Sequence, residues 1–124
     1  MLLVIVNLFL LAIHPSLAQV IENRTVELQP GYAYIICFET KMKDITIHYK
    51  VEVKAGPEVN VYLLDRANCE KYNKTYEYDE AIREHESVRV IEEEVKLEEA
   101  GEYCLIIENL SPTQTAKVYV FLEG

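Results

Sequence analysis

The chain has 124 residues, half of them hydrophobic, and a formal net charge of −9. This length suits one domain with a single core rather than two domains. The acidic balance argues against nucleic acid as a partner, because phosphate contacts need clustered Lys and Arg side chains.

Residues 1–18 differ from the rest of the chain. Residues 2–13 are apolar apart from Asn7, and the small-residue pattern Ser16-Leu17-Ala18 follows them. A run of about a dozen apolar residues is too short for a bilayer span, which takes ~20, but it matches the hydrophobic region of a signal peptide. We expect a signal peptide over 1–18, cleaved after Ala18, and a secreted or lumenal protein without stable membrane insertion. A buried N-terminal strand and an uncleaved anchor are the alternatives.

From Val20 onward the hydrophobic pattern has the two-residue period of β-strands. In 45–54, Ile45 and Ile47 alternate with polar neighbours, which is typical of a strand with one buried face and one wet face. The predicted strands are Val20–Leu28, Tyr32–Glu39, Ile45–Lys54, Glu58–Asp65, Ser87–Leu97, Gly101–Asn109 and Thr115–Leu122. About seven short strands at this spacing predict a single all-β domain over 19–124, an antiparallel β-sandwich of jelly-roll-like kind.

The phase of the pattern changes within Ser87–Leu97. Val88 and Val90 share one parity, whereas Ile91 and Val95 share the other. We expect a β-bulge near Val90-Ile91, with a short helix as the alternative.

The longest connection, Arg66–Glu86, is polar and contains Tyr72, Tyr76 and Tyr78. Loops carry much of the binding function of proteins, and tyrosine offers contact area and a hydroxyl at low entropic cost. We expect these three tyrosines to form a contact patch for a protein, or for a glycan. The alternative is that they pack the loop onto the sandwich.

Three cysteines are present, and a secreted compartment permits disulfides. Cys37 and Cys104 lie in predicted strands and share the parity of Ile35 and Ile106, so both can face one core. We expect the bridge Cys37–Cys104. Cys69 lies in residues 65–72, which we interpret as a loop or a short helix. It would then be a free thiol, a link to another chain, or a buried inert thiol, and other pairings of Cys69 stay open, because sequence does not give connectivity.

Several short motifs follow one another in a recognisable order: Cys37-Phe38-Glu39, then Val59–Asp65 with Asn68 and Tyr72 behind it, then Gly101-Glu102-Tyr103 with Asn109. This order resembles the GOLD (Golgi-dynamics) domain of cargo receptors in the early secretory pathway and of related secreted prokaryotic proteins. The resemblance implies a β-sandwich with an inter-sheet bridge. In the receptors the second cysteine falls two residues later, at the position of Ile106. Their coiled coil, membrane span and tail are not recognisable here, so the resemblance does not extend to transport.

An immunoglobulin-like sandwich is the alternative fold. The stretch Glu99–Cys104 resembles the tyrosine corner of that family, in which the tyrosine lies two residues before the cysteine. Tyr103 lies one residue before Cys104, and the chain contains no Trp. Both departures favour the GOLD-like interpretation.

Two sequons, 23–25 and 73–75, make Asn23 and Asn73 candidate glycan acceptors. The glutamates of 92–94 and 98–102 are interpreted as a solvated acidic face, because the Asp-rich pattern of calcium loops is absent. The histidines lack partners at zinc-ligand spacing, and no nucleophile elbow or phosphate loop occurs.

We therefore expect no catalytic residue, no metal site and no cofactor. The sequence predicts a secreted binding module that contacts a protein through the 66–86 loop or a sheet face. The alternatives are a structural cell-surface component linked to its partner through Cys69 and a carbohydrate-binding sandwich.

Overall fold

The computed structural model describes residues 3–8 and 19–124. Within these ranges the strands are β1 (Leu3–Leu8), β2 (Val20–Leu28), β3 (Tyr32–Thr40), β4 (Ile45–Ala55), β5 (Val59–Asp65), β6 (Arg83–Val88), β7 (Val90–Leu97), β8 (Gly101–Glu108) and β9 (Ala116–Glu123), and α1 (Arg66–Thr75) lies between β5 and β6. The predicted cleavage after Ala18 lies outside the described residues.

The predicted antiparallel β-sandwich is confirmed. One sheet, called here the first sheet, has the strand order β3-β8-β5-β6, and the second sheet has the order β2-β9-β4-β7. Leu3–Leu8 adds a parallel strand beside β3, with Leu3 opposite Tyr32 and Leu8 opposite Cys37. Residues 19–124 thus hold eight strands rather than about seven.

The second sheet shows the clean alternation that its sequence predicts. Along β4, Ile45, Ile47 and Tyr49 are buried against the first sheet, whereas Thr46 and Lys54 are exposed. This sheet packs on one face only, so every second side chain stays wet. The alternation therefore positions the main core between the two sheets.

The first sheet is buried on both faces in its centre, because α1 covers its outer side. Ala33, Ile35, Leu64 and Ile106 pack beneath this helix in a second apolar cluster that is separate from the main core. The central strands therefore have continuous apolar runs, as in 104–107, rather than an alternating pattern.

The eighth strand arises because the segment predicted as one strand, Ser87–Leu97, contains a crossover between the two sheets. The expected β-bulge near Val90-Ile91 is wrong, and so is the short helix: β6 belongs to the first sheet and β7 to the second. Ser87 has a φ of 53°, and Arg89 stands between the two strands. The change of phase marks the point at which the chain passes from one sheet to the other.

Glu93 of β7 links the two sheets through contacts with side chains of β4 and β6. Its carboxylate accepts a hydrogen bond from the Tyr49 hydroxyl at 2.9 Å and pairs with His85 and with Arg83, whose Nε lies 3.3 Å away. Burial by itself raises the pKa of Glu93, but the hydrogen bonds from His85 and Tyr49 outweigh it and lower the pKa. This glutamate is thus part of the structure, whereas Glu92 and Glu94 beside it are exposed.

Candidate functional site

The predicted 66–86 loop is mostly regular structure, because a helix fills its first half. Asp65 caps α1, since its Oδ1 accepts a hydrogen bond from the Asn68 amide at 3.0 Å. Tyr76 ends the helix in the left-handed conformation, with a φ of 59°, and its amide donates to the Tyr72 carbonyl at 2.8 Å. The irregular part of the connection is therefore short.

Tyr72 is not a surface residue, which corrects the expectation that it contacts a partner. It is 1% exposed. Its hydroxyl donates a hydrogen bond of 2.5 Å to Glu108, and this carboxylate also accepts from Tyr62 at 3.3 Å and from Asn60 at 3.0 Å. Burial, followed by the hydrogen bond to Glu108, raises the pKa of Tyr72. This network fastens the helix to the first sheet.

Residues 76–80, with the sequence Tyr-Glu-Tyr-Asp-Glu, follow the helix and are called here the acidic loop. Its backbone is fixed by the side chain of Asn68, whose Oδ1 accepts from the amides of Asp79 and Glu80 at 2.9 and 3.3 Å. Lys71 pairs with Asp79 at 2.5 Å. The loop is therefore held against the helix at several points.

The two other predicted contact tyrosines lie in the acidic loop but differ in exposure. Tyr78 packs its ring 5.1 Å from that of Tyr62, and its hydroxyl donates to Glu84. Tyr76 is 42% exposed, with its ring 6.2 Å from that of Tyr72. Of the three tyrosines, Tyr76 is thus the most exposed.

The cysteines meet at one place, but their pairing differs from the expected bridge. The structure bonds Cys69 to Cys104, with Cα atoms 6.1 Å apart, and leaves Cys37 as a thiol. The predicted Cys37–Cys104 bridge, and Cys69 as a free or inter-chain thiol, are corrected accordingly. Cys37 lies directly opposite Cys104 on the neighbouring strand of the same sheet, with its Sγ 3.1 Å from that of Cys104.

The reason for this error is the face on which the sulfurs lie. The parity shared with Ile35 and Ile106 does place both strand cysteines on one side of the sheet. That side is the one under α1, not the core between the sheets. Cys69 therefore bonds to Cys104 from the helix on this side of the first sheet, and the disulfide does not cross the core between the two sheets.

The two sequon asparagines are both exposed, at separate positions. Asn73 lies in the last turn of α1, and Asn23 lies on β2, where its Oδ1 accepts from the Tyr119 hydroxyl at 2.9 Å. Their glycosylation stays a prediction.

Within residues 19–124 the histidines pair with glutamates rather than with one another. His48 contacts Glu92 at 2.7 Å and Glu123 at 3.3 Å. Among the described residues, no three His, Cys, Asp or Glu side chains are grouped so that they could hold a metal ion. No helix in that part of the chain is long and apolar enough to cross a membrane.

The buried Glu108 was not predicted from the sequence, and residues 65–72 were interpreted as a loop or a short helix, of which the helix is correct. A signal for the helix existed, because Asp65 precedes Asn68 by three residues and Cys69 precedes Tyr72 by three, the spacing of a cap and of one helical face. Glu108 ends an apolar run, and nothing in its neighbours indicates that its carboxylate turns inward.

Comparison with known proteins places the fold in the class of small all-β sandwich domains. No family model and no curated protein matches the sequence. Among solved structures, the chain is similar to the pre-peptidase C-terminal domain of a collagenase from Bacillus anthracis, with 13% identity, 93% of each chain covered and a TM-score of 0.56. It is also similar to PliG from Aeromonas hydrophila, a periplasmic inhibitor of g-type lysozyme, with 8% identity, 97% of each chain covered and a TM-score of 0.60.

Proposed function

We propose that this chain is a secreted, non-catalytic module that binds a protein with a basic surface through the acidic loop. The observation that carries this proposal is the state of Tyr76. The residue is 42% exposed, yet hydrogen bonds hold the backbone on both sides of it.

An exposed aromatic side chain on a fixed backbone is well suited to protein binding. Tyrosine is enriched among the residues that contribute most to interface energies. Binding costs less entropy when the contacting segment is already ordered. Asn68 and Tyr78 supply this order in the acidic loop, the first through its hydrogen bonds to 79–80 and the second by packing on Tyr62.

The charge around Tyr76 indicates the kind of partner. Glu77 and Glu80 are exposed, Asp79 is exposed but paired with Lys71, and the chain as a whole carries a net charge of −9. Complementary charge accelerates association and disfavours partners of like charge. A basic protein surface is the complement that this arrangement favours, and binding should weaken as salt rises.

The comparisons support a binding module without identifying its partner. The Aeromonas protein shares the sandwich architecture and is an inhibitor, so its function is to bind an enzyme. A g-type lysozyme is therefore a reasonable first probe for this chain. The resemblance to the GOLD domain likewise predicts a secreted binding module.

Secretion belongs to the same proposal. We take residues 1–18 as a signal peptide removed after Ala18, and the exposed Asn23 and Asn73 as glycan acceptors. Removal would also take away β1 and uncover the edge of β3. The intact mass of the secreted protein tests both points, since it gives the cleavage position and any attached glycan.

The binding surface is tested with immobilised protein and two matched variants. Wild type, Tyr76→Ala and Tyr119→Ala are exposed to the secreted proteins of the source organism and, separately, to a g-type lysozyme. Tyr119 lies half-exposed on the outer face of the second sheet, so its variant represents binding by a sheet face.

We expect Tyr76→Ala to lose at least about tenfold in affinity, as the removal of a central aromatic contact does, and Tyr119→Ala to bind as wild type. Glu77→Gln with Glu80→Gln should lower the association rate and its salt dependence, with the exposed Glu27→Gln as the charge control. Binding that survives Tyr76→Ala and fails in Tyr119→Ala would move the site to the sheet face. Equal binding by all variants would contradict both surfaces.

A further inference from the structure

Three sulfur atoms converge between β3, β8 and α1. Cys104 is bonded to Cys69 of the helix, and the thiol of Cys37 contacts Cys104 from the neighbouring strand, with 3.1 Å between the Sγ atoms. A cavity of about 120 Å³ adjoins all three cysteines. One sulfur thus has a covalent partner on one side and a nucleophile on the other.

We propose that Cys37, Cys69 and Cys104 form a thiol–disulfide exchange site, in which Cys37 displaces Cys69 from Cys104. This reaction does not depend on the binding function proposed above. It rests on the contact between Cys37 and the disulfide and on the strand register that produces it.

The register brings Cys37 and Cys104 to a separation that suits a disulfide. Cys37 and Cys104 are directly opposed in the antiparallel pair of β3 and β8. Opposed residues in such a pair have Cα atoms ~4.5–5.5 Å apart, which lies inside the range of ~4.4–6.8 Å found for disulfides. The two sulfurs need to approach by about 1 Å to reach the bonded distance of ~2.05 Å.

The step is balanced within the chain. Cys37 loses its proton, and the thiolate attacks Cys104 Sγ. The Cys37–Cys104 bond forms as the Cys69–Cys104 bond breaks, and Cys69 leaves as a thiolate that takes up a proton. One disulfide and one thiol are present before and after, so neither an oxidant nor a reductant is needed.

After the exchange, the free thiol is that of Cys69 on the helix instead of that of Cys37 on the strand. In the structure, Cys69 ties α1 to β8 covalently. Once Cys104 is bonded to Cys37, no covalent bond joins the helix to β8. The packing of the helix, the Tyr72–Glu108 hydrogen bond and the exposed Arg66–Glu102 pair still hold it. The site therefore couples a change of disulfide to a loosening of the element that carries the acidic loop.

The surroundings of Cys37 make the exchange dependent on pH. Burial, followed by the charge of Glu102, raises the pKa of Cys37, so the thiol is protonated near neutrality. Arg66 and Glu70 of α1 also line the cavity, and Arg66 pairs with Glu70 and Glu102 at 3.1 and 3.5 Å. Glu39, two residues along β3, pairs with Lys41. Alkaline pH raises the thiolate fraction and with it the exchange rate.

The test follows the position of the thiol in the folded wild-type protein. Samples are held at pH 7 and pH 9 without reductant, quenched in acid, denatured, labelled with N-ethylmaleimide and mapped as peptides. We expect the label to start on Cys37 and to appear on Cys69 with time, faster at pH 9, together with the Cys37–Cys104 linked peptide. The rate should not change with protein concentration, because the step is intramolecular.

Two variants sharpen the result. Cys69→Ser should oxidise to a monomer containing Cys37–Cys104, whereas Cys37→Ser should contain Cys69–Cys104 and no thiol. Label that stays on Cys37 at both pH values would overturn the proposal, as would exchange that accelerates with protein concentration. If Cys69→Ser does not fold, the wild-type time course decides alone.

Discussion

Tyr72 gives the sharpest test of how the helix is held to the sandwich. Tyr72→Phe removes the hydroxyl that donates to Glu108 at 2.5 Å and leaves the ring in place. Glu108 is 5% exposed, so water does not readily replace the lost donor, although Tyr62 and Asn60 still donate to the carboxylate. A hydrogen bond to a charged, buried acceptor contributes ~1.5–3 kcal/mol.

We expect Tyr72→Phe to lower the free energy of unfolding by about 2 kcal/mol, which corresponds to a fall of about 8 °C in Tm for a domain of this size. The control is Tyr119→Phe, which removes a hydroxyl that donates to the exposed Asn23. It should cost less than about 0.5 kcal/mol.

Urea unfolding followed by circular dichroism measures both variants. Their m values should match that of wild type, so that the shift in midpoint reports stability. Glu108→Gln completes a double-mutant cycle with Tyr72→Phe, and a coupling above about 1 kcal/mol is expected. If Tyr72→Phe costs no more than Tyr119→Phe, the buried network does not fasten the helix, and the reasoning is refuted.

Three further predictions concern other parts of the domain. Asn109→Ala should cost about 3 kcal/mol in urea unfolding, because the two N–H groups of this buried side chain are shared among three backbone carbonyls at 2.8, 2.9 and 3.3 Å. A loss under about 1 kcal/mol would contradict that role. Gly56→Ala should lower Tm more than Gly101→Ala, although both glycines have positive φ. A Cβ at position 56 would lie 2.2 Å from a backbone oxygen, whereas a Cβ at position 101 would meet nothing within 4 Å. Equal losses of Tm would contradict the clash at position 56. Hydrogen bonding to Glu92 raises the pKa of His48 against an opposing effect of burial, so its contribution is fully present below the unfolded pKa of ~6.5 and lost as pH rises through the folded value. The stability difference between wild type and His48→Gln should thus be larger at pH 5.5 than at pH 9, by under about 1 kcal/mol, and a difference that grows with pH would have the wrong sign.

The second sheet could be predicted from sequence because one of its faces meets water. Val20–Leu28 has the bounds that its pattern indicates, and the buried positions of β4 are those with the parity of Ile45. Where a strand has one wet face, the period of two identifies both the strand and its inward side.

The sequence predicts less about the first sheet than about the second. In β3 and β8 both faces are buried, so parity places Cys37 and Cys104 on the same side without saying which side. The polar composition of residues 66–75 fits a loop as well as a short helix, so the sequence does not show that a helix packs on this side of the sheet. Once Cys69 is on a helix that packs over β8, its bond to Cys104 follows from proximity.

The crossover after β6 shows a third kind of limit. A change of parity fits a bulge as well as a passage between sheets, and the residues around Ser87 do not distinguish the two. The distinction depends on which strands β6 and β7 join, β5 in one case and β4 in the other, and those pairings are long-range.

The most direct measurement of the central claim is a site-specific photo-crosslink from the acidic loop. A benzophenone amino acid replaces Tyr76 in one protein and Tyr119 in another, and both are irradiated among the secreted proteins of the source organism. We expect a discrete crosslinked product from position 76 whose yield falls as salt rises, and no product of that mass from position 119. A product from position 119 with none from position 76 would contradict binding through the acidic loop.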